Sequence, residues 1–162
     1  MAEITYQMVL STLQTVGLLV GIFYYIITLQ NAQKSRDAQI FLQFSNRMGS
    51  EKWQRGTQLF LDGLKFNSFS EMMSYSENNP ENWSDIRYVQ AALEDFGGMV
   101  RGGYLKVNII AITTFTPIIL VWEAMQPTIE EWRIHYPRMW SEIEYLYHQL
   151  ILYKQRNPKL FE

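Results

Sequence analysis

Apolar and polar residues fall into two regimes along this chain. From Ile4 to Gln33 there is no charged side chain, and within that run Met8 to Leu29 is rich in Leu, Val and Ile. A stretch of about 22 such residues meets the length needed to cross the hydrocarbon layer of a bilayer as a helix. Tyr6 and the pair Tyr24–Tyr25 would stand about 27 Å apart on that helix, a spacing that suits aromatic belts at the two interfaces. A cleaved signal peptide fits less well. Glu3 is the only charged side chain ahead of the run, and Tyr24, Tyr25 and Ile26 follow where a small-residue cleavage site would be required. The pattern predicts a tail and transmembrane helix over residues 1–33, with the span at about residues 8–29.

Beyond the span the period becomes that of amphipathic helices. No Pro or Gly occurs between Ile22 and Met48, so the first helix is expected to continue to about Gly49, with Phe41, Phe44 and Met48 on its apolar stripe. Ser50 is a natural N-cap for a helix over Glu51–Leu64 with Trp53, Phe60 and Leu64 inward. Ser68 and Glu71 suggest a capping box ahead of a short helix, Phe69–Tyr75. Glu77–Ser84, containing Asn78-Asn79-Pro80, reads as a loop. Ile86, Val89, Leu93, Phe96 and Val100 repeat at 3,4,3,4 spacing and predict a helix over Asp85–Arg101, with Arg87, Gln90 and Glu94 on its polar side. Gly97-Gly98 would interrupt that helix and Gly102-Gly103 would end it.

Val107 to Trp122 is a second charge-free run. Its Thr116-Pro117 step reads as an N-cap with the first helical position, or as a kink, and Pro127 and Pro137 as further starts or bends. The run is expected to be a core helix of the domain. A second, short or re-entrant membrane segment at 107–122 is the alternative, and it would move residues 123–162 to the other side of the bilayer. A last helix over Pro137–Gln155 would place Trp140, Ile143, Tyr147 and Leu150 on one face. No sustained strand alternation and no internal repeat appears. The expected fold is all-α: an N-terminal transmembrane helix followed by a small helical bundle over residues 34–155, with a tail at 156–162.

Composition narrows the function classes. Charged residues make up 19% of the 162 residues and aromatic residues 15%, an apolar balance suited to a membrane-attached domain. A net charge of -2 argues against a nucleic-acid partner, which requires a clustered basic face. The absence of Cys removes disulfides, thiolate catalysis and Cys-ligated metals. Lys34, Arg36 and Arg47 follow the span whereas the other flank has no basic side chain, so the carboxy-terminal domain is expected in the cytoplasm, beneath the cell (inner) membrane.

Candidate chemistry is thin. Gly97 to Gly103 lacks the Lys-Ser/Thr of a phosphate-binding loop, Gly103 and Tyr104 standing in those places; close helix packing followed by a helix stop accounts for it better. Glu131/His135 and Glu144/His148 are each four apart, one residue off the Glu-x-x-His spacing of di-iron bundles, with Glu94 and Glu123 as further carboxylates only by chance of folding. No Gly-x-Ser-x-Gly elbow occurs. Glu94-Asp95 and Glu130-Glu131 point to different helix faces. Lys154, Arg156 and Lys159 form a small basic tail, read as solvated with anionic lipid as the other reading. No catalytic, cofactor-binding or metal residue is assigned, and no cofactor is expected.

A helix–helix interface is better supported. Gln7, Gln14, Gly17, Gly21 and Thr28 share one side of the membrane helix at 100° per residue, opposite Val9, Val16, Val20, Phe23 and Ile27. Gly17 and Gly21 form a Gly-x-x-x-Gly motif that admits a partner backbone in lipid, and Gln14 would favour a hydrogen-bonding partner there. Arg36, Trp132 and Arg133 are candidate contact residues.

Gln33-Lys34-Ser35-Arg36, Ala92-Leu93-Glu94-Asp95-Phe96-Gly97 and the run from Trp122 through Pro127 to Arg133 give the chain a familiar layout. It resembles a family of small, uncharacterised prokaryotic proteins with an N-terminal membrane helix and a helical domain of unknown function. The resemblance implies that architecture and supplies no activity and no catalytic residues. The expected function is a membrane-anchored helical interaction or accessory module, a subunit of a larger membrane complex, with the bilayer and a second copy or another membrane protein as partners. An enzyme or metal-binding bundle, and a bilayer-acting sensor or effector with its second segment at 107–122, are the alternatives.

Overall fold

A computed structural model describes residues 6–162; of the expected N-terminal tail ahead of residue 8, residues 1–5 lie outside the described residues. Two compact units divide at Gln39/Ile40. The described residues of the first all belong to α1, Tyr6–Met48, whose 43 residues correspond to about 65 Å of helix. Every residue from Tyr6 to Gln39 is exposed. The helix runs past the apolar stretch at residues 8–29 without a break to Met48, as the missing Pro and Gly after Ile22 led one to expect. The side-chain hydroxyls of Thr12, Thr15 and Thr28 donate to backbone carbonyls one turn back, so they leave no orphan donors on an apolar helix.

The second unit, Ile40–Glu162, gathers the end of α1 with α2 (Glu51–Leu61), α3 (Phe69–Asn78), α4 (Pro80–Arg101), α5 (Val107–His135), α6 (Ser141–Arg156) and a closing 3₁₀ turn, Pro158–Leu160. It is an all-helical bundle, as the sequence pattern predicted. Phe44 is fully buried and its ring lies 4.6 Å from that of Phe96, which ties the last turns of α1 to the core.

Several boundaries differ from expectation for local reasons. α2 stops at Leu61 instead of Leu64 because Gly63 adopts φ 96°. The Gly63 N–H donates to Phe60 O, and the Leu64 N–H to Leu59 O, which together form a Schellman stop. The expected loop Glu77–Ser84 is instead the meeting of two helices. Asn79 alone joins them, its N–H closing α3 on Tyr75 O and its carbonyl accepting from Trp83 N–H to open α4. Pro80 therefore starts a helix, where its missing N–H is harmless and its φ preset. α4 also runs straight through Gly97-Gly98. It ends at Gly102 and Gly103 (φ 73°), with the Gly103 and Tyr104 amides folded back on Val100 and Met99. The Ser68–Glu71 box holds in part: Ser68 Oγ accepts from the Glu71 N–H, while the Glu71 carboxylate reaches the Asn67 N–H, one residue earlier than a box requires.

α5 bends at Thr114 (φ −141°, ψ 23°), three residues before Pro117. The Pro117 ring crowds the carbonyl four residues back, and the break supplies room there. Ile110, Ala111, Ile118, Val121 and Trp122 are all buried in the bundle, so the second charge-free run contributes to the domain core. The last helix begins at Ser141, four residues later than expected. Pro137 sits instead in a turn, and Trp140 takes the left-handed conformation (φ 62°) with its ring fully buried. That backbone costs a non-glycine residue roughly 1–2 kcal/mol, opposed here by burial of the apolar area of a large indole.

Two glycines set the closest helix crossings. A Cβ on Gly56 of α2 would come within 2.7 Å of Asp85 O and Val89 Cγ2 on α4, and a Cβ on Gly97 of α4 would overlap the Glu142 carbonyl on α6. α4 thus packs intimately against both neighbours, which is the role expected for the Gly97 cluster.

Candidate functional site

The most distinctive surface is the first unit. Leu18 (67% exposed), Phe23 (64%) and Ile27 (55%) leave a large apolar area open around the helix axis, far beyond the few hundred Å² that a water-facing monomer ordinarily shows. Gln14, Gly17, Gly21 and Thr28 lie on this helix, all exposed. Nothing stands within 4 Å of a Cβ built at Gly17 or Gly21. Thr28 bonds its own backbone at Tyr24 O, while the Gln14 amide makes no hydrogen bond among the described residues. Arg36 closes the unit, donating to Gln33 Oε1 at 2.8 Å, with Gln33 in turn donating to Asp37.

Trp132 and Arg133 belong to the second unit and act within it. Trp132 is 8% exposed, edge-on to Phe69 and tilted against Trp140, with the Arg87 guanidinium above its face. Arg133 donates to Met139 O at 2.9 Å and to Glu144 at 2.7 Å. Together they pin the turn between α5 and α6. Glu144 is thereby engaged with Arg133, while His148 is exposed beside the Tyr147 ring. Among the described residues no group of three or more His, Asp or Glu side chains is placed to hold a metal.

The polar interior was less legible in the sequence. Asp85, predicted at a helix start, is buried and held by Arg55 at 2.7 Å, with Glu51 bracing the guanidinium. Gln90, expected on the polar side of α4, is buried and donates only to Met139 Sδ. It lies one turn from Ile86 and Leu93, on the wide stripe of a core-facing helix, which is the signal that would have found it. Leu146 is likewise fully buried. The Arg47–Asp95 and Arg101–Glu142 pairs strap α4 to its neighbours.

Glu94 has a specific task. α6 starts at Trp140 without a side-chain cap of its own, and Glu94 Oε2, reaching across from α4, accepts the Glu142 N–H at 3.0 Å. This is an N-cap supplied by another helix. Burial pushes the Glu94 carboxyl above its ordinary value of 4.5, with the Glu142 charge adding to the rise and the backbone bonds opposing it. A raised acid pKa means that the folded state binds its proton more tightly than the unfolded chain. The stabilisation is complete below pH 4.5 and is lost as the pH climbs through the folded value. Glu94→Gln keeps an oxygen to cap α6 and removes the titration. Its thermal midpoint is expected to rise relative to the parent as pH increases from 4.5 and then level off, checked by melting both proteins at stepped pH.

These features define the class: an all-helical bundle behind a long apolar helix that is a candidate membrane span. α1 and α5 are both long and apolar enough to cross a bilayer, α1 with that stretch open and α5 with part of it buried in the bundle. The family model described as Domain of unknown function (DUF4760) matches residues 11–150, and the chain belongs to that family. Neither a curated protein nor a solved structure matches it.

Proposed function

We propose that the protein is a membrane-anchored helical interaction or accessory module, a subunit of a larger membrane assembly. The observation that carries this reading is the surface of Tyr6–Leu29, apolar and open on every side of the helix. In water such a surface is unfavourable at about 25 cal/mol per Å²; in hydrocarbon that cost disappears. The cations Lys34, Arg36 and Arg47 follow the span, which supports a cytoplasmic bundle. Gln14, Gly17 and Gly21 support a partner helix in the bilayer. Two glycines one turn apart permit close backbone approach, and an amide without a partner is more stable in lipid once it has one.

The test is site-specific crosslinking in native membranes, where the absence of Cys allows single reporters to be introduced freely. Gly17→Ile with Gly21→Ile is expected to abolish a crosslink near residue 14 while leaving the chain in the membrane fraction. Gln14→Leu is expected to weaken it by about 1 kcal/mol, roughly five-fold. Crosslinking unchanged in the double variant would refute the helix–helix interface.

A further inference from the structure

The segment after α6 folds back instead of trailing into solvent. The Phe161 ring lies 4.6 Å from Phe115 on α5 and 6.4 Å from Tyr153 on α6. Beside the Phe115–Phe161 contact opens a groove of about 550 Å³, lined by Ile112, Phe115, Thr116, Leu160 and Phe161 among others. Two of its apolar walls point outward, Ile112 at 70% exposed and Leu160 at 59%. Those residues are costly to leave in water and no described residue covers them.

Charge is segregated around this groove. Trp122 stacks on Tyr147 and the Lys154 ammonium stands 5.5 Å over the Phe115 ring, so α5 and α6 run antiparallel. The start of α5 therefore shares one end of the bundle with the close of α6, and Lys106 lies about 9 Å further along the helix from Ile112. Lys106, Lys154, Arg156 and Lys159 are all exposed at this end, and none belongs to an ion pair among the described residues. From Lys106 to Trp122 and from Tyr145 to Phe161 the chain contains no acidic residue. Glu162 follows Phe161 in sequence, and the acids of α5 begin at Glu123.

We infer that this end of the bundle, the groove of Ile112, Phe115 and Leu160 ringed by Lys106, Lys154, Arg156 and Lys159, docks on a bilayer surface bearing anionic headgroups. The inference rests on the anchored reading above, because only residues 30–39, about 15 Å of helix, join the end of the candidate span to the bundle. Within that reach a weak surface contact becomes effectively intramolecular. Exposed aliphatics enter the headgroup boundary while amines on long stems meet lipid phosphate, the combination that peripheral lipid-binding surfaces use. A protein groove of the same size would need acidic complementarity from its partner but no bilayer.

The full chain reconstituted in vesicles provides the test. A fluorophore is placed at Ile112→Cys, at Leu160→Cys or, as a control on α3, at Ser70→Cys, and quenching by nitroxide-bearing lipids is recorded in phosphatidylcholine with and without phosphatidylglycerol. Labels at 112 and 160 are expected to be quenched in the anionic vesicles only, and the label at 70 in neither. Lys154→Gln and Lys159→Gln should each lower the docked-to-free ratio about five-fold. A chain that floats with the vesicles yet shows no quenching at 112 and 160 overturns the docking surface and spares the anchor. Protection of both labels from an aqueous quencher in neutral vesicles would mean a protein occupant, which also overturns it. If the chain fails to float, both readings fall.

Discussion

Gly97→Ala is expected to destabilise the bundle by about 3 kcal/mol, a fall of roughly 10 °C in melting temperature for a domain of this size. The added methyl would meet the Glu142 carbonyl, its carbon and its Cβ. Backbone cannot rotate out of the way as a side chain can, so α6 must translate along α4. That movement would loosen the Glu94 cap on the Glu142 N–H and the Arg101–Glu142 pair at the same crossing. Gly98→Ala supplies the control. Nothing lies within 4 Å of a Cβ there, and replacing glycine in a helix interior is expected to stabilise by about 0.5–1 kcal/mol. Thermal denaturation of the two variants should therefore move in opposite directions. Equal behaviour would show that the α4–α6 crossing is looser than the geometry requires.

The second large effect concerns the anchor. Val16→Lys together with Val20→Lys puts two ammonium groups near the middle of the apolar stretch of α1 while leaving Gly17 and Gly21 in place. Each costs about 2.5–3.5 kcal/mol at the centre of a membrane helix, so the pair should remove most of the preference for the bilayer. The expected result is transfer of the chain from the carbonate-resistant membrane fraction to the soluble or aggregated fraction. The bundle's own core is not touched by these positions, since both side chains are exposed. A doubly substituted chain that still resists carbonate extraction and floats with vesicles would remove the basis of the anchored reading. The contrast with Gly17→Ile and Gly21→Ile separates the two functions assigned to one helix, because those changes add apolar bulk and leave the preference for lipid intact.

How far local sequence carries depends on whether a residue's neighbours are close in the chain. Ser50 and Ser68 cap the helices they were expected to cap, Gly102-Gly103 ends α4, and Phe44 and Met48 extend α1, because caps, stops and helical period are interactions over a few residues. Pro80, Pro127 and Pro137 were harder. A proline can begin, bend or follow a helix, and which of these occurs depends on what the flanking residues bury. Trp83 packs against the core just beyond Pro80, Pro127 rides inside α5, and the buried indole of Trp140 holds the turn after Pro137.

The candidate surfaces divide in the same way. The long apolar helix α1 was legible from composition and period alone, since a helix satisfies its backbone hydrogen bonds within itself and needs no tertiary partner to form them. Trp132 and Arg133 were equally visible as residue types, but only packing decided that one enters the core and the other pins the α5–α6 turn. The Asp85–Arg55 pair, 30 residues apart, and the Glu94 cap on α6, 48 residues away, carry no mark in sequence spacing. So too the fold-back of Phe161 onto Phe115, which turned a nominal tail into one wall of a groove. Composition and period determined that this chain is helical, apolar and led by a membrane-length helix. Which polar groups are buried, which glycines touch and which cations gather at one end follow from long-range contacts that form only when the helices meet.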